Sequence, residues 1–232
     1  MVRHVYERAL QAKTVGQVVV ATDDSRVMEA VNAFGGRVLM TSPSCPTGTD
    51  RLAEASRQIE ADIYVNVQGD EPMLDPATID VAVQGLIDDD GASISTLSSP
   101  LRELDEMMSS TVVKIVTDAR GHALYFSRSP IPHARTAEGT LEAAARAAIA
   151  TGLTRKHVGL YVFRRDALAR FASLSPSPLE AVEQLEQLRA LHHGMKIRVE
   201  PVSGDGSVAV DTEADLERVR ALISPDSIPR TR

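Results

Sequence analysis

Residues 65–72 read V-N-V-Q-G-D-E-P: an apolar run that passes at Gln68 and Gly69 straight into two acids, Asp70 and Glu71, and a proline. A short unbroken apolar run is how a strand buried on both faces looks. The glycine allows close backbone approach, and the acids stand where open α/β sheets bind their ligands, at a strand's carboxyl end. Upstream, residues 17–22 (Q-V-V-V-A-T) give a second such run, followed by Asp23, Asp24 and Ser25 as candidate caps. The helix they open stops at Gly35-Gly36, residues 37–41 form the next strand, and 49–59 the next helix. Strand and helix alternate at short intervals, the pattern of βαβ units.

Residues 2–12 space Val2, Val5, Ala9 and Ala12 as a helix does. Beyond Pro76 the chain predicts a helix to about Ile87 and a strand over 92–97. Two β-like runs, 112–116 and 122–126, flank Asp118-Ala119-Arg120-Gly121, a hairpin signal. The alanine-rich stretch 139–151 reads as a helical surface insertion. A strand over 156–163, a helix over 178–191, a strand over 197–202 and a helix over 212–223 complete the pattern. Residues 224–232 hold two prolines and read as a flexible tail. The expected fold is one Rossmann-like α/β domain over residues 1–223. Its sheet is mostly parallel, with helices on both faces and a β-rich excursion in the second half.

Composition narrows the function. Across 232 residues the net charge is −7, so no basic face is available to offset nucleic-acid phosphates. Tryptophan is absent and aromatics make up only 3%, which argues against a base-stacking binder. No apolar run approaches the ~18 residues a membrane span needs. The single cysteine, Cys45, excludes an internal disulfide and fits a reducing cytoplasm.

Asp70 is well placed to hold Mg²⁺, which prefers carboxylate and phosphate oxygens; equally, Asp70 or Glu71 can cap the next helix. Residues 45–51 (C-P-T-G-T-D-R) put Gly48, Thr49 and Asp50 at a helix start with Arg51 in its first turn, a local role sufficient in itself. Asp211, in V-D-T-E, stands at another strand-to-helix junction, where capping and metal binding compete evenly. Between these lie Y-F-S-R (125–128), K-H-V-G-L-Y (156–161) and L-E-Q-L-R (185–189). His157 and Tyr161, four apart on a strand, share a face. Glu186 and Gln187 are adjacent on the expected helix and so face different ways.

Taken in order, these six segments resemble the 3-deoxy-manno-octulosonate (Kdo) cytidylyltransferases from Met1 to about Leu222. The resemblance implies a nucleotide-diphospho-sugar transferase sheet and a cytoplasmic, Mg²⁺-dependent homodimer. Its reaction would join CTP and Kdo into CMP-Kdo and pyrophosphate for lipopolysaccharide synthesis. Asp70 and Asp211 match the family's metal-binding aspartates. Gln68 and the turn Gly48, Thr49, Asp50, Arg51 match the nucleotide-recognising region. Arg128, Arg135, His157, Tyr161, Glu186 and Gln187 match the sugar pocket.

Two departures stand out. Cys45 replaces the family's usual histidine, as a tolerated small residue. Met1 falls after the family's first strand and the basic loop that cradles CTP phosphates. The competing readings are therefore an active Kdo cytidylyltransferase, a truncated inactive relative that only binds sugar or dimerises, and a synthetase for CMP-sialic acid or the 8-amino analogue of Kdo.

Overall fold

The structure is a computed structural model, and it describes residues 1–204, 210 and 212–223. Helix α1 (Val2–Ala9) leads to β1 (Val20–Thr22), α2 (Ser25–Ala33), β2 (Val38–Met40), α3 (Gly48–Ser56) and β3 (Ile63–Asn66). Asp24 is the residue that caps α2, its carboxylate accepting from the Arg26 amide at 2.8 Å. Thr47 caps α3 by accepting from the Asp50 amide at 3.1 Å, so this helix begins one residue earlier than its spacing suggested. Asp75 and a first-turn proline start α4 (Pro76–Ile87). Strand β4 (Ile94–Pro100), helix α5 (Leu104–Met108) and the hairpin β5 (Lys114–Thr117) and β6 (Ala123–Ser127) follow. The chain continues through α6 (Leu141–Thr151), β7 (Arg155–Arg164), α7 (Arg165–Ser173), α8 (Pro178–Glu183), α9 (Gln187–His192), β8 (Ile197–Pro201) and α10 (Glu213–Ile223). The expected tail, 224–232, lies outside the described residues.

The main sheet has six strands in the order β6-β5-β7-β4-β8, with β3 pairing on β7. It is mixed rather than mostly parallel. Strands β3, β4, β5 and β8 all point the same way, but β7 lies between them and runs against β3, β4 and β5. At ten residues β7 is long enough to pair β5 at its start and β3 at its end on one edge, with β4 along the other. Its side chains alternate between two cores, as strand geometry requires. Tyr161 and Phe163 pack with Leu168 and Phe171 of α7 and Leu188 of α9. Leu160 and Val162 pack with Ile79, Ala82 and Leu86 of α4. Helices thus cover both faces.

The helix expected over 178–191 is broken. Gln184 adopts a left-handed backbone with φ 53°, ending α8. The Arg128 guanidinium takes up the loose carbonyls there, donating to the Glu183 oxygen at 2.7 Å and the Gln184 oxygen at 3.2 Å. Those are the end groups a helix leaves unsatisfied. Nor is α6 a surface insertion: Ala145 and Ala148 are buried against Leu101 and Met107. Helices α5 and α7 were not anticipated, although Ala167, Leu168 and Phe171 carry the helical spacing.

Strands β1 and β2 stand apart as a parallel two-stranded sheet. Between β1 and β3 runs a slot of about 1000 Å³, walled by Val18, Val20, Ile63, Val65 and Val67 and reaching Gly48, Arg51 and Gln68. Among the described residues β1 pairs only with β2, and β3 only with β7. Val20 and Thr22 turn their backbone groups to the β2 side, through bonds to Arg37 and Thr41. Alternation leaves those of Val19 and Ala21 toward the slot.

Candidate active site

The first turn of α3 sets Thr49 and Asp50 toward the α9 segment, and Gly48 and Arg51, three apart on one face, toward the slot between β1 and β3. Gly48 packs against Asn66 and Gln68, with a Cβ placed there only 3.7 Å from the Asn66 amide nitrogen. Thr49, wholly buried, donates its hydroxyl to Glu186 Oε1 at 2.5 Å. Asp50 stands 3.9 Å from the Arg189 guanidinium. Arg51 reaches back to the ends of β1 and β2, bonding Thr41 Oγ1 at 2.6 Å and pairing with Asp23 at 3.2 Å.

Glu186 carries the site's clearest chemical signal. Its Oε1 is held by Thr49, while its Oε2 is buried and receives no donor among the described residues. A buried acceptor left in that state costs about 1–3 kcal/mol, so the position favours a ligand group that donates. Glu186, Gln187, Tyr161 and Thr49 line one small cavity of about 10 Å³ under α9. Glu186, the N-cap residue of α9, already has helical backbone (φ −61°, ψ −31°), so helical spacing applies to it and Gln187, and both nonetheless touch the cavity.

His157 and Tyr161 do share a face, and their rings lie 5.3 Å apart. His157 Nε2 is 3.0 Å from Thr96 Oγ1, which donates its one proton to the Leu160 carbonyl at 2.8 Å. Burial lowers the His157 pKa to about 4. Burial, and after it the charge of Glu186, hold the Tyr161 phenol well above its ordinary range. At neutral pH both are uncharged hydrogen-bonding groups, suited to orienting a ligand rather than exchanging protons.

Asp70, half-buried, occupies the turn after β3, and its backbone oxygen accepts from the Val210 amide at 2.9 Å. Asp211 lies outside the described residues. Among the described residues no cluster of three metal-ligating side chains forms, so Asp70 is the one member of the expected pair whose surroundings are visible. A half-buried carboxylate at the open end of the sheet suits a hard cation that also contacts phosphate oxygens. Arg128 lines neither cavity; its guanidinium goes to the α8 carbonyls and to Ser110 at 2.9 Å. Arg135 is exposed and lines neither. Burial and the neighbouring Glu54, 3.2 Å away, raise the Cys45 thiol, which keeps it protonated and inert.

Residues 1–197 match the family described as Cytidylyltransferase. The chain belongs to this family. The 3-deoxy-manno-octulosonate cytidylyltransferase of Geobacter metallireducens is 54% identical over 226 residues, covering 97% of this chain and 87% of the relative. The enzyme of the same name from Escherichia coli is 46% identical over 226 residues, covering 97% and 86%. A solved CMP:2-keto-3-deoxy-manno-octonic acid synthetase complexed with CTP superposes with a TM-score of 0.84 at 45% identity, over 95% of this chain and 86% of that one. The inositol-1-phosphate CTP transferase of T. maritima, 14% identical with a TM-score of 0.59, shares the fold.

In this cytidylyltransferase three residues outside the expected site join it. Asn66, buried, donates toward Thr49 Oγ1 at 3.5 Å; its signal was a polar residue inside the apolar run V-N-V. Thr96 fixes the His157 ring from within an otherwise buried strand. Arg189 pairs with Glu180 and lies over the Phe171 ring at 4.9 Å, and it stood unassigned in L-E-Q-L-R.

Proposed function

We propose that this nucleotidyltransferase joins CTP and Kdo into CMP-Kdo and pyrophosphate. The observation that carries the reading is the meeting of the two motif segments at Thr49 and Glu186, 2.5 Å apart, with a buried carboxylate oxygen left to accept from a ligand. An acidic sugar rich in hydroxyls supplies such a donor. The relatives named for this reaction support the choice.

In the reaction the anomeric hydroxyl of Kdo gives up its proton to solvent as its oxygen forms a bond to the α-phosphorus of CTP. The bond from that phosphorus to the bridging α–β oxygen breaks, and pyrophosphate leaves in line. Such transfers depend on positioning and on cancelling developing charge rather than on covalent help. Glu186 and Gln187 receive sugar hydroxyls, while the neutral His157 and Tyr161 orient the sugar without taking its protons. Gln68 and the α3 turn hold the nucleotide side. Asp70 and Asp211 are the residues that would hold Mg²⁺, which supplies charge neutralisation for phosphate oxygens when bound. A cytoplasmic homodimer feeding lipopolysaccharide synthesis is the setting the resemblance implies, and Cys45 as the lone thiol agrees with it.

The test is incubation of the protein with CTP, Mg²⁺ and Kdo, with pyrophosphate release and CMP-Kdo mass as readouts. Release with N-acetylneuraminate or the 8-amino sugar but not with Kdo moves the assignment to those sugars. No release with any of them overturns it.

A further inference from the structure

An acidic sugar brings a carboxylate, and His157, Tyr161, Glu186 and Gln187 offer it no positive charge. The arginines that the motifs put forward serve elsewhere. The Arg128 guanidinium is taken by the carbonyls of Ser110, Glu183 and Gln184, and Arg135 is exposed. Arg189 is paired with Glu180. Lys114 is wholly buried and gives its ammonium to the carbonyls of Ser109, Val112 and Arg128. Lys156, on the other face of β7 from His157, pairs with Glu106 at 2.6 Å.

Arg155 is placed differently. It opens β7, and its register partner is Pro100, the last residue of β4. It therefore stands at the carboxyl ends of β4 and β8, where open α/β sheets bind their ligands. Two residues from His157, it shares that ring's face of the strand. Its side chain leans across β4, with Nε donating to Ser98 Oγ at 2.8 Å and Nη2 to the carbonyls of Ser98 at 3.0 Å and Val202 at 3.3 Å. Ser98 is also the register partner of His157. Among the described residues Nη1 has no acceptor and no carboxylate pairs with the guanidinium, so burial alone acts on its pKa, lowering it. A half-buried charge held in place by neutral groups, with one donor nitrogen to spare, is a seat for an anion.

We propose that Arg155 binds the carboxylate of the acidic sugar through Nη1 and so orients the sugar beside His157. The assignment rests on the functional reading above. In Kdo the carboxylate is bonded to the anomeric carbon, which also carries the attacking hydroxyl. A cation fixed by Ser98 and Val202 therefore aims that hydroxyl as well as holding the charge. The reaction has a second source of anionic oxygens, the phosphates of CTP. The place of Arg155 on the His157 face favours the carboxylate, and the two sources are told apart by which substrate's constant responds.

Steady-state kinetics of the full chain with CTP and Mg²⁺ reads the contact, through the KM for Kdo and the inhibition constant of its carboxamide analogue. The wild-type protein is expected to hold Kdo about 10-fold or more tighter than the uncharged carboxamide. Arg155→Gln should raise the KM for Kdo by the same factor while the carboxamide constant and the KM for CTP stay near wild type. Arg155→Lys keeps the charge and should recover part of the loss. A purely structural anchor would lower the melting temperature and shift the constants for Kdo and the carboxamide together, and that result overturns the assignment. So does a wild-type protein that does not distinguish Kdo from the carboxamide, a comparison that needs no variant to fold. A KM for CTP that rises in Arg155→Gln while the KM for Kdo holds moves Arg155 to the phosphates and overturns it as well. Absence of turnover with Kdo in the wild type overturns the functional reading, and the assignment with it.

Discussion

The rings of His157 and Tyr161 lie 5.3 Å apart although four residues separate them along β7. A regular strand rises about 3.3 Å per residue, which would hold them roughly 13 Å apart. The register explains the difference: Tyr161 pairs with Thr96 and Val158 with Leu97, so Gly159 and Leu160 bulge out of the ladder. His157 and Tyr161 therefore sit opposite Ser98 and Thr96, two residues apart on the partner strand. The bulge keeps them on one face and brings them into contact, with Glu186 beyond Tyr161.

Tyr161→Phe removes the phenol hydroxyl and leaves the buried ring in place. If that hydroxyl orients the sugar, the KM for Kdo should rise about 10-fold, the loss of one hydrogen bond to a ligand, while the KM for CTP changes less. Steady-state kinetics varying each substrate in turn separates the two. Equal changes in both constants, or a lowered melting temperature with unchanged kinetics, would return Tyr161 to packing alone.

His157 sets a pH dependence of stability. Its folded pKa, about 4, lies below the ordinary 6.5 because burial disfavours the imidazolium. Between those values the unfolded chain binds a proton that the folded chain does not. His157's contribution is therefore fully present above pH 6.5 and is lost as pH falls from there toward 4. Urea unfolding across pH 4–7.5 should show this slope, and His157→Gln should flatten it. An unchanged slope in the variant contradicts the buried, neutral assignment.

Asp70→Asn keeps the turn after β3 and removes the carboxylate charge. Loss of a metal-anchoring carboxylate should lower Mg²⁺-dependent turnover by roughly 10²-fold or more. Magnesium titration followed by pyrophosphate release measures it, and the same is expected of Asp211→Asn. Activity within a factor of about 3 of wild type for both variants would remove them from the metal assignment.

The elements legible in the sequence were those with strong periodicity or clear punctuation: β3 with its G-D-E-P turn, α4 behind Pro76, and the β5–β6 hairpin around Gly121. Local pattern could not show which strands become neighbours, so the antiparallel β7 at the centre of a nominally parallel sheet was invisible. The helix break at Gln184 was hidden for a similar reason. No glycine or proline marks it, and the arginine that satisfies its carbonyls comes from residue 128, far away in sequence. Within the site, motif order brought together Thr49, Tyr161, Glu186 and Gln187. It gave no sign that Arg128 serves α8, since a guanidinium binds a carbonyl as readily as a carboxylate sugar.

The slot between β1 and β3 yields the broadest prediction. Two strand edges with backbone groups unpaired across the slot, and valines on both walls, cannot stay dry and apart without cost. Val18, Val20, Ile63, Val65 and Val67 are each only half-buried, so they leave apolar surface in water at a cost of roughly 25 cal/mol per Å². The 232-residue chain is therefore expected to bind the hydrophobic dye ANS and to melt broadly. Fusing an extended apolar strand ahead of Met1 gives the slot an occupant that α1 can link to β1 as a right-handed crossover. With that strand, dye binding should fall and the midpoint should rise by about 5 °C or more. If instead the 232-residue chain melts sharply, excludes the dye and gains nothing from the added strand, β1 and β3 close on each other in solution, and the slot does not take a strand.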